Sequence, residues 1–120
     1  MTKVRFVLIL IISISCATKD TERISTLLKS DDPGNLIQAY YLIGENRDLD
    51  FIKEVISNPY DPRVTNVSDY KGMSVYQSKM IALRKITKLD PPHKITYQPD
   101  SVVVNFYCGW VERNTKYPCR

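Results

Sequence analysis

Three kinds of side chain here could do chemistry: the thiols of Cys16, Cys108 and Cys119, the single imidazole of His93, and the carboxylate pairs Asp31-Asp32 and Asp48-x-Asp50. A thiol can accept an acyl chain, pair with a second thiol, or attack as its thiolate. The last use needs a basic neighbour to lower the thiol pKa, and Tyr107 and Gly109, flanking Cys108, supply none. A general-base role for His93 needs a nucleophile within hydrogen-bond reach, and His93 follows Pro91-Pro92 in a segment without one. The acidic pairs stand where helix N-caps are wanted, because a carboxylate there accepts free amide hydrogens and meets the positive end of the helix dipole. One histidine and no close Cys-x-x-Cys pair make a poor zinc set. No glycine-rich phosphate loop, Gly-x-Ser-x-Gly or His-Glu-x-x-His occurs in the chain. The expectation is a non-enzymatic protein with no metal and no small-molecule cofactor.

Cys16 has the most specific setting. Lys3 and Arg5 open the chain, Phe6 to Ile12 is an unbroken apolar run, and the small residues Ser13 and Ser15 close it, which is the layout of a secretory signal. The run is too short to span a bilayer, which takes about 20 apolar residues. Ser13-Ile14-Ser15-Cys16 resembles the lipobox of bacterial lipoproteins, in which a small residue precedes a cysteine that is acylated and becomes the first residue of the mature chain. The sequence departs from that pattern at Ser13, where leucine is usual. The resemblance implies a signal peptide over residues 1–15, a lipidated tether over 16–21, and a mature protein anchored by an acyl chain to a membrane of the bacterial envelope, on its periplasmic or surface face. The alternative is cleavage after Ala17, since Ser15-Cys16-Ala17 is also a small-x-small site, giving a secreted soluble chain.

Export changes the meaning of the other two thiols. With Cys16 acylated, Cys108 and Cys119 form an even pair in an oxidising compartment, and a disulfide is expected. Of 17 basic residues, Lys3 and Arg5 leave with the signal, so 15 remain against 13 acidic ones. The basic residues are scattered among acids, without the cluster that a phosphate backbone demands, so no nucleic-acid partner is expected. Removing residues 1–15 of 120 leaves 105, enough for one core and no second domain.

The elements that must position these residues read as helices. Ile24, Leu27 and Leu28 predict a short helix over Glu22 to Lys29. Asp31 or Asp32, followed by Pro33, starts the next helix, whose Ile37, Tyr40, Tyr41 and Gly44 keep the i, i+3, i+4, i+7 spacing of one buried face. After a turn at Asn46-Arg47-Asp48, Leu49, Ile52, Val55 and Ile56 predict another helix, antiparallel to it. Pro59 to Gly72 has prolines, Asn66 and Asp69 but no period, and reads as an exposed loop. Met73, Tyr76, Met80, Leu83 and Ile86 mark a central helix over Met73 to Lys88, with Ser74 placed to cap it. Leu89 to His93 is stiffened by two prolines, and Lys94 to Gln98 adds a short extended piece. Two readings compete for Val102 to Val111: a strand, from its β-formers, and a helix capped by Asp100 or Ser101 with Val103, Phe106, Tyr107, Trp110 and Val111 on one face. The helix is favoured, although Gly109 and three successive valines weigh against it.

The stretch Ala39-Tyr-Tyr-Leu-Ile-Gly-Glu-Asn-Arg-Asp-Leu-Asp-Phe-Ile-Lys-Glu-Val-Ile56 resembles a HEAT-type repeat: a helix ending in a Leu-Gly-like step, an Asn/Asp turn, and a second helix packing back. The likeness covers about 25 residues, or about 60 if Met73 to Lys88 opens a following unit. Solenoids need about three or more repeats to bury their faces, so the expected fold is mainly α: a small HEAT-like αα-hairpin bundle over residues 22–120, closed by non-repeat elements and leaving room for a short C-terminal extended piece. The resemblance implies protein partners held on a helix face.

The chain has eight tyrosines. Tyr60 and Tyr70 in the long loop and Tyr97 before the last element are candidate partner-binding residues, since tyrosine offers contact area with little rotamer entropy to lose. The expected function is a membrane-anchored envelope lipoprotein that binds or scaffolds a protein partner. The alternative is an immunity or inhibitor protein that blocks a toxin or envelope enzyme with the Tyr-bearing loop.

Overall fold

The computed structural model describes residues 20–119, so Cys16 and the lipobox-like segment lie outside the described residues. The described chain is mainly helical, with helices packed on one another around a single core. Helix α1 covers residues 20–28, so Asp20 and Thr21, read as tether, already belong to it. It buries Ile24 completely. Helix α2, Pro33–Asn46, starts as expected: Asp32 accepts from the Asn35 amide at 3.3 Å and Pro33 sits in the first turn. Gly44 does not end it. The helix runs on to Asn46, and Arg47 takes the left-handed conformation at φ 47°, its N–H bonded to the Gly44 carbonyl.

The return helix is shorter than its apolar spacing implied. Asp48 caps a 3-10 turn, Leu49–Phe51, which leads into the five-residue α3, Ile52–Ile56. Helix α4, Val75–Thr87, is the hub, with α2, α3 and α5 all packed against it. Tyr40 lies by Lys79, Gly44 by Ala82 and Glu45 by Lys85; both helices advance together, so α2 and α4 run parallel. The crossing is close. A Cβ added at Gly44 would stand 3.0 Å from the Ala82 Cα, which explains a glycine in a helix interior despite its entropic penalty.

The segment from Pro59 to Gly72 is mostly exposed, as expected of a loop, with Asp61 and Thr65 buried and its backbone tied to the start of α4. The α4 amides of Val75 and Tyr76, which have no partner within their own helix, donate to the carbonyls of Arg63 and Asp61, each at 2.8 Å. Thr65 and Met73 continue the pairing, Val64 and Ser74 form an antiparallel bridge, and Asp61 and Thr65 are buried. Prolines and absent periodicity foretold irregular backbone here. What ties it down are hydrogen bonds to a helix start, which leave no periodic trace in sequence.

Ser74 caps α4 by accepting from the Gln77 amide at 3.0 Å, and its own hydroxyl donates to the Tyr97 carbonyl at 2.6 Å. Residues 89–100 then cross the bundle without regular structure, held by buried Ile95 and by the Tyr107 hydroxyl on the Leu89 carbonyl at 2.9 Å. The competing readings of the C-terminal segment resolve to a helix, α5, Ser101–Asn114, capped by Asp100, which accepts from the Val102 amide at 2.8 Å. It buries Val103, Val104, Tyr107 and Val111, with Phe106 and Trp110 part-buried at the edge. Among the described residues there is no strand, and none of their helices is long and apolar enough to cross a membrane.

Candidate functional site

Cys108 and Cys119 are joined in a disulfide with Cα atoms 5.4 Å apart, inside the range such a bridge requires. The bridge ties the tail back onto α5. The carboxylate pairs act structurally: Asp32 and Asp48 are N-caps, and the Asp31 carbonyl accepts from Arg63 Nη1 at 3.0 Å. His93 Nδ1 lies 2.8 Å from Asp100 Oδ2, and that hydrogen bond is the first cause holding the Asp100 carboxyl below its ordinary range. No group of three His, Cys, Asp or Glu side chains among the described residues is placed to hold a metal ion.

The three tyrosines do not share one surface. Tyr60 is 43% exposed and faces a cavity of about 390 Å³ with Val104, Asn105, Glu112 and the disulfide. Tyr70 and Tyr97 meet elsewhere, on an open cleft of about 500 Å³ between residues 68–73 and 94–97. Tyr97 is 54% exposed; Tyr70 is part-buried, its ring tilted against Tyr41 with centroids 6.1 Å apart. Burial and the nearby Asp69 carboxylate raise the Tyr70 phenol above its usual pKa. Local folding explains the convergence. Gly72, at φ +81°, turns the first wall back toward α4, and the Ser74–Tyr97 hydrogen bond fixes the second wall to the helix cap.

A polar centre is built around the buried side chains of Lys79 and Asp61, and the sequence reading missed it. Lys79 is only 3% exposed, yet its ammonium reaches the carbonyls of Ser57 and Asn58 and stands 5.0 Å from the centroid of the Tyr40 ring. Burial lowers its pKa from 10.5 to about 8, with Asp61 opposing the shift. Asp61, 6% exposed, accepts twice from Arg63 Nε and once from Nη2 at 2.7 Å, and that guanidinium holds its carboxyl below the ordinary value. Burial, with Asp61 and Glu54 adding, pushes Tyr40 up to about 12. A lysine with a lowered pKa is a chemical group worth testing for nucleophilic use. Here its donors are spent on main-chain carbonyls just past α3, and the arrangement acts as a tie between α3 and α4. A signal existed: Lys79 is three residues after Tyr76 and four before Leu83, inside the apolar stripe.

Compared with known protein families, curated proteins and solved structures, the chain has no match.

Proposed function

We propose that this protein is an exported bacterial envelope lipoprotein that acts without catalysis, as a protein-binding or scaffolding module anchored through Cys16 and recognising its partner at the Tyr70–Tyr97 cleft. Support for the anchor lies in the sequence, where Ser13-Ile14-Ser15-Cys16 follows a basic start and an apolar run. Support for the module includes the parallel pairing of α2 with α4, the succession expected of first helices in neighbouring HEAT-like units. The observation that carries recognition is that Tyr70 and Tyr97, from two separate segments, line one open cleft, with the Tyr97 carbonyl bonded to Ser74 at the α4 cap.

Fractionation and affinity capture test the two halves. Labelled palmitate should enter the wild-type protein, and Cys16→Ser should abolish labelling and release the protein from membranes; labelling that never occurs refutes the anchor. Capture from envelope extracts should recover a protein that is lost with Tyr70→Ala/Tyr97→Ala and kept with Tyr60→Ala. A partner indifferent to the double variant refutes the cleft assignment. Recovery of one toxin or hydrolase in a tight complex would favour the inhibitor reading over the scaffold.

A further inference from the structure

One wall of the Tyr70–Tyr97 cleft has the make-up of a strand edge without a neighbour. Lys94, Ile95, Thr96 and Tyr97 follow one another along it. An extended chain turns only every second side chain to one side, so four successive lining residues bring main-chain atoms to the cleft as well. Ile95 is buried while Lys94, Thr96 and Tyr97 are exposed, so the stretch is pinned to the core at one residue and open on either side of it. The backbone N–H groups of Lys94, Ile95, Thr96 and Tyr97 donate to no group among the described residues. Pro91-Pro92 before this stretch and Pro99 after it keep it out of a helix.

Charge selects among the segments such an edge could take. Lys71 on one wall and Lys94 on the other are exposed, and neither is in an ion pair among the described residues. Arg23 is near enough to oppose the pKa rise of Tyr70, and Asp69 is the single acid lining the cleft. Resting on the protein-binding reading above, the geometry points to an extended acidic polypeptide segment of the partner as the occupant. It lies along Lys94–Tyr97 as an added strand, main chain to main chain, with carboxylates meeting Lys71 and Lys94 and the intervening side chains set between the rings of Tyr70 and Tyr97. Every second amide of an extended stretch faces the same edge, and such a spaced set of free donors suits a peptide backbone, whose carbonyls repeat at the same spacing; the headgroups of a flat membrane surface have no such repeat.

The probe is a displayed library of random ten-residue peptides, selected on the mature Cys16→Ser protein, with the best binder then synthesised and measured by fluorescence anisotropy. Selected peptides should be enriched in Asp and Glu. Replacing alternate backbone N–H groups of the binder by N-methyl should weaken it roughly ten-fold or more, as should Lys71→Glu/Lys94→Glu, on the scale of lost hydrogen bonds and charge contacts. Added salt should weaken it further, and amide resonances of Lys94 to Tyr97 should shift on binding. Selection without acidic enrichment, indifference to N-methylation, or indifference to the charge reversal overturns the proposal. So does tighter binding of the unlipidated protein to phosphatidylglycerol vesicles than to any selected peptide. If envelope capture yields a partner that needs Tyr70 and Tyr97 while these peptide tests fail, the binding-module reading stands and the acidic-strand occupant falls. If acidic peptides bind as described and capture yields nothing, the occupant stands and the envelope reading falls.

Discussion

Lys79 shows at single-residue scale how a charge is kept inside a small core. The residue is 3% exposed, its ammonium is satisfied by the Ser57 and Asn58 carbonyls, and the Tyr40 ring lies 5.0 Å away. The lowered pKa has a definite consequence for stability. Below about pH 8 both folded and unfolded chains hold the proton, and burying the charge costs stability. Between about 8 and the ordinary 10.5 the unfolded chain binds more protons than the folded one, so stability rises with pH. Tyr40 acts oppositely and later: its pKa is raised to about 12, so it removes stability only as pH climbs past the ordinary phenol value of about 10. Urea midpoints at pH 7 and 9.5 should therefore show wild type gaining on Lys79→Met by on the order of 2 kcal/mol, at ~1.4 kcal/mol per unit of pKa difference. An unchanged gap between the two proteins would mean that Lys79 keeps an ordinary pKa.

At the scale of elements, the close crossing of α2 and α4 depends on Gly44. Gly44→Ala places a methyl 3.0 Å from the Ala82 Cα and 3.2 Å from the Lys85 side chain. Lys85 can move aside, but the backbone of α4 cannot. Overpacking of this kind costs about 1–3 kcal/mol, more than the roughly 0.5–1 kcal/mol that alanine gains over glycine in a helix interior. Gly44→Ala should thus lower the urea midpoint, whereas Gly72→Ala should act through backbone strain alone, since no atom lies within 4 Å of its added Cβ. Denaturation of the two variants side by side checks this. A stabilised Gly44→Ala protein would show that the helices separate without loss.

For the whole molecule, the disulfide sets how firmly the last helix and tail belong to the core. Cys108 and Cys119 are 11 positions apart, and closing a loop of that length in the unfolded chain stabilises the fold by roughly 2–3 kcal/mol in the chain-entropy account. Reduction, or Cys108→Ser/Cys119→Ser, should lower stability by that amount, while α5 stays folded through Val103, Tyr107 and Val111. A thiol count on denatured, unreduced protein should find no free thiol at Cys108 or Cys119. Two free thiols there would remove the staple.

Much of the architecture was legible in the chain because it is governed by local chemistry. Asp32, Ser74 and Asp100 are caps by side-chain reach alone, the stripe from Tyr76 to Leu83 buries by helical period, and the two late cysteines, Cys108 and Cys119, are joined as expected of an even pair. Other features were decided by tertiary structure. Gly44 fell on the expected buried face, but that a side chain there would collide with α4 was decided only by the packing of the two helices. Residues 59–72 looked exposed by composition and mostly are, but their tie to the start of α4 through the Asp61 and Arg63 carbonyls was decided by the fold. Lys79 looked like surface by charge and is buried because Ser57, Asn58 and Tyr40 close around it. Tyr70 and Tyr97 share a cleft from which Tyr60 is absent, and no spacing along the chain encodes that choice. Caps, periods and turns involve groups a few residues apart, whose energies are set by the chain's own geometry; a cleft or a buried charge joins groups whose proximity exists only once the helices have packed.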